Sequence, residues 1–346
     1  MSRCFSFRWA LLLSLSVGFY CDASELHHAS CPADAVTDGL PFVQCDRTPP
    51  CVRWNYADPA RCAQLRLDRD WPTWDPYIHR DHSWTSMREL LHDHAKEKTL
   101  MVVGDSIANL WYHGLVCEAA RHGLTIHTTG HRLQAFVNAF KKIPETEWVE
   151  KGAPHLYVHV VETDTIIAMK GWAKSSPTDT AAFLSLADIV IVNYGLHYHD
   201  KTEYEAAMED VFARMRAFNE RPGKTAMFRE ISAQAFDKTG SWTPGADKTS
   251  RCAETPPETA FNNDVWRQNE LLWKLAHKHQ VPMVPFYNTT LPRWDMREER
   301  FCEYEGRRNN PDAVCNDCTH LCWTPTLWAY MANVVADVIS LKKSFE

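Results

Sequence analysis

The sequence has no dense block of basic residues, and its N-terminal apolar run is short for a membrane-spanning segment. Acidic residues number 44 against 37 basic ones, which gives a formal net charge of −7. A chain without a basic surface lacks the counter-charge for a phosphate backbone, so we expect no nucleic-acid partner. The apolar run from Trp9 to Tyr20 has about a dozen residues, fewer than the roughly 20 that span a bilayer.

The first 24 residues have the organisation of a secretory signal. Arg3 and Arg8 precede the apolar run, and the small residues Ala23 and Ser24 follow it, which is the order of segments in a signal peptide. Two outcomes stay open: a signal peptide that is cleaved, and a type II signal anchor that is retained in the membrane. In both cases we expect the chain to enter the secretory pathway.

Cysteine is plentiful, with 12 residues in the chain. If Cys4 and Cys21 leave with a signal peptide, an even set remains, and in a secretory chain such a set predicts disulfides without fixing their connectivity. The remaining cysteines are Cys31, Cys45, Cys51, Cys62, Cys117, Cys252, Cys302, Cys315, Cys318 and Cys322. The sequon Asn288-Thr289-Thr290 is consistent with N-glycosylation in the same compartment.

Composition and periodicity divide the chain into three parts. The chain is 45% apolar and 12% aromatic, which is typical of a globular protein. Residues 1–24 form the signal peptide or anchor, and residues 25–98 form a segment rich in Cys and Trp with no sustained period. We expect that segment to pack on the main domain, residues 99–346, and to need disulfides to stay there. Its aromatic residues Trp71, Trp74, Tyr77 and Trp84 are candidates for stacking on sugar rings, with packing in the protein interior as the alternative.

From residue 99 onward, strand-like apolar runs alternate with segments of helical periodicity. The pattern predicts strands at 99–104, 125–130, 155–161, 188–195, 225–229 and 281–286, and helices at 107–123, 133–140, 203–218, 265–279 and 328–341. Repeated units of this kind predict an α/β fold with a doubly wound, mostly parallel sheet and helices on both faces. Ligands bind beyond the carboxyl ends of such strands, where Ser106 and Asn193 both fall.

The run Gly104-Asp105-Ser106 stands between the first of these strands and the helix that follows. A serine in such a turn lies at a helix N-terminus, where unpaired backbone N–H groups and the helix dipole stabilise developing negative charge. The simpler interpretation is that Asp105 or Ser106 caps the helix, because both residue types are favoured caps. These three residues leave both interpretations open.

A second group of polar residues lies near the C-terminus, in Asp317-Cys318-Thr319-His320-Leu321-Cys322. One turn or a tight loop would place the Asp317 carboxylate and the His320 imidazole on the same side, where the carboxylate would orient the ring. A zinc site is the alternative, because Cys315, Cys318, His320 and Cys322 have a suitable spacing. The secretory compartment favours disulfides for these cysteines, so we expect no metal.

Together the two groups resemble the SGNH (GDSL-like) hydrolases, and more closely the PC-esterase or trichome-birefringence-like branch of polysaccharide O-acetyltransferases. That branch combines a Gly-Asp-Ser block with an Asp-Cys-x-His-x-Cys block near the C-terminus. Its Phe-Arg-x-x-Ser-Pro-x-x-Phe block is similar to residues 228–236, with Ala233 in place of the proline. The resemblance implies an SGNH-like fold with a disulfide-stabilised N-terminal extension.

The resemblance also implies roles for individual residues. Ser106 would be the nucleophile, His320 the base and Asp317 its orienting carboxylate. The oxyanion would be bound by the Ser106 backbone N–H with Asn193 and Gly130, although the family's Gly-x-Asn-Asp block is absent. The alternatives are a strand-end turn for Asn193 and an ordinary loop glycine for Gly130. The remaining candidates, for substrate binding, are Asp105, Arg229 and His197. The alternative role of Arg229 is a structural salt bridge, and that of His197 is a structural hydrogen bond.

The function implied is an O-acetyltransferase that modifies a polysaccharide or glycan, either in the Golgi lumen or after secretion. Such an enzyme needs no bound cofactor but requires an acetyl donor, either acetyl-CoA or an acetylated intermediate. Two alternatives stay open. One is an acetylesterase that uses the same serine to remove acetyl groups, and the other is a catalytically inactive carbohydrate-binding protein.

Overall fold

The computed structural model of the chain describes residues 90–121, 123–127, 130–140, 156–162, 164–171, 174, 177–237, 239–243, 252–294, 297–298, 317–321 and 325–343. The predicted signal segment and nearly all of the predicted N-terminal segment, with its stacking candidates, lie outside these residues. The disulfide-stabilised extension and the boundary near residue 98 therefore stay predictions.

Seven strands form the central sheet: β1 (Thr99–Gly104), β2 (Ile126–His127), β3 (Leu156–Val161), β4 (Ile166–Gly171), β5 (Ile189–Asn193), β6 (Thr225–Arg229) and β7 (Met283–Val284). Their order across the sheet is β2-β3-β4-β1-β5-β6-β7. The five neighbouring strands β4, β1, β5, β6 and β7 are parallel to one another, whereas β3 is antiparallel to both of its neighbours. This mixed, mostly parallel sheet confirms the predicted α/β class.

Eight α-helices accompany the sheet in the described part of the chain: α1 (Ser106–Arg121), α2 (His131–Phe140), α3 (Pro177–Leu186), α4 (Lys201–Asn219), α5 (Pro257–Ala260), α6 (Asp264–His279), α7 (Tyr287–Thr290) and α8 (Pro325–Lys343). A π-helical turn, Leu90–His94, precedes β1, and a two-stranded sheet is formed by β8 (Arg297–Glu298) and β9 (Asp317–Leu321). Among the helices described, none combines the length and apolarity needed to cross a bilayer.

Strand β1 contributes to the core on both faces of the sheet. Leu100 and Val102 belong to a buried cluster that includes residues of α1 and α8. Met101 and Val103 belong to a second cluster, which includes residues of α4 and α6. Successive side chains of a strand point to opposite faces. A fully buried β1 therefore means that helices cover both faces of the sheet, as predicted.

The region between β3 and β5 differs from the prediction. The structure has a strand, β4, and a helix, α3, where neither was predicted. The apolar run of β4 is short, and the apolar residues of α3 do not form one stripe, so neither segment has a clear periodicity. At the other edge, β6 is the only partner of β7 among the described strands, in agreement with the prolines that predicted an edge strand.

The order of the strands reverses beside β1. The chain leaves β1 through α1 for β2 at one edge, returns to β4, and then continues on the other side of β1 through β5, β6 and β7. Gly104 at the end of β1 is the register partner of Asn193 at the end of β5. Open α/β sheets bind ligands at such a reversal, so the residues that follow these two ends form the first candidate site.

We predict that Gly104→Ala destabilises the fold much more than Gly130→Ala. Both glycines have a φ near +150° (+152° and +153°), a backbone conformation that favours glycine. A Cβ at Gly104 would lie 1.9 Å from the Asn193 carbonyl oxygen, whereas a Cβ at Gly130 meets no atom within 4 Å. The clash should cost at least about 2 kcal/mol more than the strain alone.

Urea unfolding of the two variants beside the wild type measures this difference. Because the backbone strain is nearly the same at both positions, Gly130→Ala is a matched control. Equal losses of unfolding free energy in the two variants would contradict the close packing of β1 against β5.

Candidate active site

The side chains of Ser106 and His320 are in hydrogen-bond contact. Ser106 Oγ lies 2.7 Å from His320 Nε2, although 214 positions separate the two residues in the chain. Both side chains are half-buried, so solvent reaches them. A serine hydroxyl at this distance from an imidazole nitrogen is the arrangement in which a base can activate a nucleophile.

Helix α1 begins at Ser106, and the residue before it, Asp105, caps the helix. Asp105 Oδ1 accepts a hydrogen bond from the Ile107 N–H at 3.0 Å, and its carbonyl accepts one from the Asn109 N–H at 3.2 Å. Asp105 thus does what a cap residue does, and Ser106 is the first residue of the helix. The two interpretations of this motif therefore apply to different residues: Asp105 is the cap, and the Ser106 hydroxyl faces His320.

Strand β9 holds His320 through the two residues before it. Cys318 forms a disulfide with Cys252, with a Cα–Cα distance of 5.1 Å. The Cys318 carbonyl also accepts a hydrogen bond from the Ala235 N–H at 2.9 Å. A covalent bond and a backbone hydrogen bond therefore attach this strand to the segment that follows β6.

Thr319 is held by two side chains. Its Oγ1 accepts a hydrogen bond from Gln234 Nε2 at 2.7 Å, and its carbonyl accepts one from Arg297 Nη1 at 2.8 Å. Arg297 also donates from Nη2 to the Ala233 carbonyl at 2.6 Å. Sequence reasoning missed Gln234, Arg297 and the partner of Cys318. Only the resemblance of residues 228–236 to a family block pointed toward this segment.

The structure corrects the local conformation expected around Asp317. We expected one turn or a tight loop, but the residues form a strand that pairs with β8. Arg297 pairs with Leu321 and Glu298 with Asp317, so the residues between them bulge out and the usual alternation of a strand does not hold. The side chain of Asp317 lies outside the described part of the chain, and its orienting role stays a prediction.

The zinc alternative loses one of its four proposed ligands. The Cys318 sulfur is bonded to Cys252 and cannot be a thiolate ligand in this state. Cys315 and Cys322 lie outside the described residues. Within the described ranges, no group of three or more metal-ligating side chains is present.

The two predicted oxyanion donors besides Ser106 have different surroundings. Asn193 is buried, and its Nδ2 donates to the carbonyl oxygen of Arg229 at 3.2 Å, with that of Glu230 at 3.5 Å. In this orientation the amide N–H groups face the backbone after β6. Gly130 is exposed and directly precedes α2. Its role as an oxyanion donor stays a prediction.

Two side chains of opposite charge, one of them next to Ser106 in the chain, are buried and interact electrostatically. Asp105 is 3% exposed and Arg229 is 1% exposed. Burial raises the pKa of Asp105, although the positive charges of Arg229, His197 and His320 act in the opposite direction. Burial also lowers the pKa of Arg229 to about 10, against the effect of Asp105 and Glu230. Each charge therefore offsets part of the cost of burying the other.

Aromatic rings and one carbonyl group surround the Arg229 guanidinium. Its carbon lies 4.6 Å from the centre of the Phe286 ring and 5.8 Å from that of Trp111. Its Nη1 donates to the Glu230 carbonyl at 2.9 Å. Of the three candidate substrate contacts, Asp105 and Arg229 are thus enclosed by protein, whereas His197 is exposed in the loop after β5. Substrate contact by any of the three stays a prediction.

Comparison with known proteins does not assign the chain to a family: no family model and no curated protein matches it.

We predict that Asp105→Asn changes how stability depends on pH. Because the pKa of Asp105 is raised in the folded chain, that state binds a proton more tightly than the unfolded chain. Stability conferred by the protonated form is then lost as the pH rises above about 4, which is the ordinary pKa of an aspartate side chain. Asparagine does not titrate, so the variant should gain stability relative to the wild type across this range.

Urea unfolding at successive pH values, from about 4 to 7, tests this sign. Asparagine keeps the Oδ1 acceptor for the Ile107 N–H, which makes the variant a conservative one. Parallel stability curves for the two proteins would contradict a raised pKa.

We also predict that Cys252→Ala/Cys318→Ala loosens His320 and lowers the reactivity of Ser106. The disulfide joins residues 66 positions apart, for which loop closure predicts a loss of roughly 4 kcal/mol in unfolding free energy. The rate at which a fluorophosphonate labels Ser106 reports its nucleophilicity. An unchanged labelling rate in the folded variant would show that the disulfide does not position the base.

Proposed function

We propose that the chain is an O-acetyltransferase that modifies a polysaccharide or other glycan through an acetyl-serine intermediate. The observation that supports this most is the 2.7 Å separation of Ser106 Oγ and His320 Nε2. It lies where the strand order of an α/β sheet reverses, which is the usual ligand site of such sheets. We propose further that the fold is SGNH-like, since a strand-turn-helix nucleophile and a C-terminal histidine meet at this edge.

The first step is acetylation of the enzyme. His320 Nε2 accepts the hydroxyl proton as Ser106 Oγ forms a bond to the acetyl carbonyl carbon of the donor. The tetrahedral oxyanion is stabilised by the Ser106 backbone N–H at the positive end of α1. Collapse breaks the bond to the donor, and the leaving group takes the proton from His320.

The second step transfers the acetyl group to the glycan. A sugar hydroxyl gives its proton to His320 and attacks the acetyl-serine carbonyl. The bond to Ser106 Oγ then breaks, and Ser106 recovers the proton. In this scheme Asp317 orients the imidazole and stabilises its charged form. Asn193 and Gly130 are the candidates for additional oxyanion donors.

Hydrolysis of the same intermediate is the second candidate function. Ser106 and His320 are both half-buried rather than enclosed, so water can reach the acetyl-serine as well as a sugar hydroxyl. This exposure favours an acetylesterase as the alternative. For either reaction we propose a location in the secretory pathway, in the Golgi lumen or outside the cell, with acetyl-CoA or an acetylated intermediate as the donor of the transferase.

We predict that Ser106→Ala and His320→Ala each lower turnover at least about 10³-fold, and that the double variant is no worse. The two groups act as one unit, so their losses should not add. Release of 4-nitrophenol from 4-nitrophenyl acetate measures the first step. Ser185→Ala is the matched control, because Ser185 is an exposed serine of α3. Retained turnover in Ser106→Ala would refute both catalytic functions.

Mass spectrometry then separates the three functions. Wild-type protein with acetyl-CoA should show an acetyl group on the peptide that contains Ser106, and the group should pass to an added glycan. Loss of the group to water, with no acetylated glycan formed, would favour the esterase. Glycan binding without any acetyl-serine would favour the carbohydrate-binding protein.

A further inference from the structure

Two large hydrophobic side chains of the described chain are exposed, Trp242 at 42% and Trp273 at 45%. Trp273 has a structural partner, because its indole N–H donates to the Glu230 carboxylate. That carboxylate also accepts hydrogen bonds from the backbone N–H groups of Phe286 and Tyr287. Trp242 has a different neighbour: its ring centre lies 6.1 Å from that of His199, with the planes inclined by 36°.

Hydrogen bonds connect Trp242 to the segment that holds His320. The Trp242 backbone N–H donates to Gln234 Oε1 at 2.8 Å, and Gln234 Nε2 donates to Thr319 Oγ1 at 2.7 Å. Thr319 directly precedes His320. A single glutamine side chain therefore bridges the backbone of the exposed tryptophan and the residue next to the base.

His199 comes from a second segment, which follows strand β5. It lies in the loop between β5 and α4, a loop that starts after Asn193, the register partner of Gly104. His199 is exposed, like Trp242. The two rings are thus supplied by separate segments, one tied through Gln234 to the residue before His320 and the other following the strand that pairs with β1.

We propose that Trp242 and His199 form an aromatic subsite on which a pyranose ring of the glycan stacks. This inference rests on the proposed function and adds to it a binding residue for the acceptor. The C–H face of a pyranose is apolar and flat and suits an indole, while the imidazole offers hydrogen bonds to hydroxyl groups. Gln234 holds the backbone of Trp242 before any glycan binds, so the segment that carries the indole needs no ordering on binding.

Loss of the subsite should weaken the binding of glycans and leave the turnover of small esters unchanged. An acetyl ester without a sugar ring reacts at Ser106 without reaching Trp242. Trp242→Ala should therefore weaken binding of a neutral oligosaccharide about tenfold, the effect expected for one aromatic contact of about 1.4 kcal/mol. Trp242→Phe keeps an aromatic face and should lose less.

The first test measures binding separately from turnover. Xylohexaose, mannohexaose and cellohexaose are titrated into Ser106→Ala and into Ser106→Ala/Trp242→Ala, with calorimetric detection. The structure predicts binding of at least one of them to the first protein and an affinity lower by about tenfold in the second. Equal affinities, or no binding of any of the three, would overturn the subsite.

The second test uses turnover, with Trp273→Ala as the control for loss of an exposed tryptophan. The ratio of kcat/KM for acetyl transfer to the hexasaccharide that binds to kcat/KM for 4-nitrophenyl acetate should fall in Trp242→Ala and stay near the wild-type ratio in Trp273→Ala. A parallel change in both substrates would overturn the subsite while leaving the proposed function intact. Turnover that survives Ser106→Ala would instead refute the proposed function.

Discussion

The contact between Ser106 and His320 depends on a buried stretch of irregular backbone, residues 229–236. This stretch leaves the end of β6 and reaches the strand that holds His320, where the Ala235 N–H donates to the Cys318 carbonyl. Irregular backbone away from water needs partners for its N–H and C=O groups, because each unpaired group costs free energy. Polar side chains supply those partners: Asn193 to the carbonyls of Arg229 and Glu230, Asn269 to both backbone groups of Ile231, Thr290 to the Ala233 N–H, and Arg297 to the Ala233 carbonyl.

The same stretch accounts for the charges buried near the site. Arg229 lies at its start, beside the aromatic rings of Trp111 and Phe286. The negative charge of Asp105, in the turn after β1, raises the pKa of Arg229 and so opposes the effect of burial. Each charge offsets part of the cost of burying the other, although for Asp105 burial outweighs that attraction and raises its pKa. Burial and charge pairing therefore explain the presence of Asp105 and Arg229 near the nucleophile without any contact to a ligand.

Prediction succeeded where a single segment has a clear pattern. The buried run of β1, the glycine at its end and the helical period of α1 are all local features, and they placed Ser106 at the N-terminus of a helix beyond a strand. The prediction was wrong about the conformation around Asp317, because pairing with β8 and a bulge outweigh the local preference for a turn. It missed β4 and α3 because neither has a strong period. Asn193 was predicted at the correct strand end, but the direction of its amide depends on the carbonyls of another segment.

By itself, the sequence determined the class of fold, the strand-turn-helix unit around Ser106 and the presence of a histidine that could activate it, since these follow from the order of residue types along short segments. Tertiary structure alone decided that Ser106 and His320 meet, that Cys318 bonds to Cys252, and that Gln234 links Trp242 to Thr319. The physical reason is distance along the chain. Each of these contacts joins different segments, and their geometry depends on how the helices and irregular backbone pack over the edge of the sheet, which no local pattern encodes.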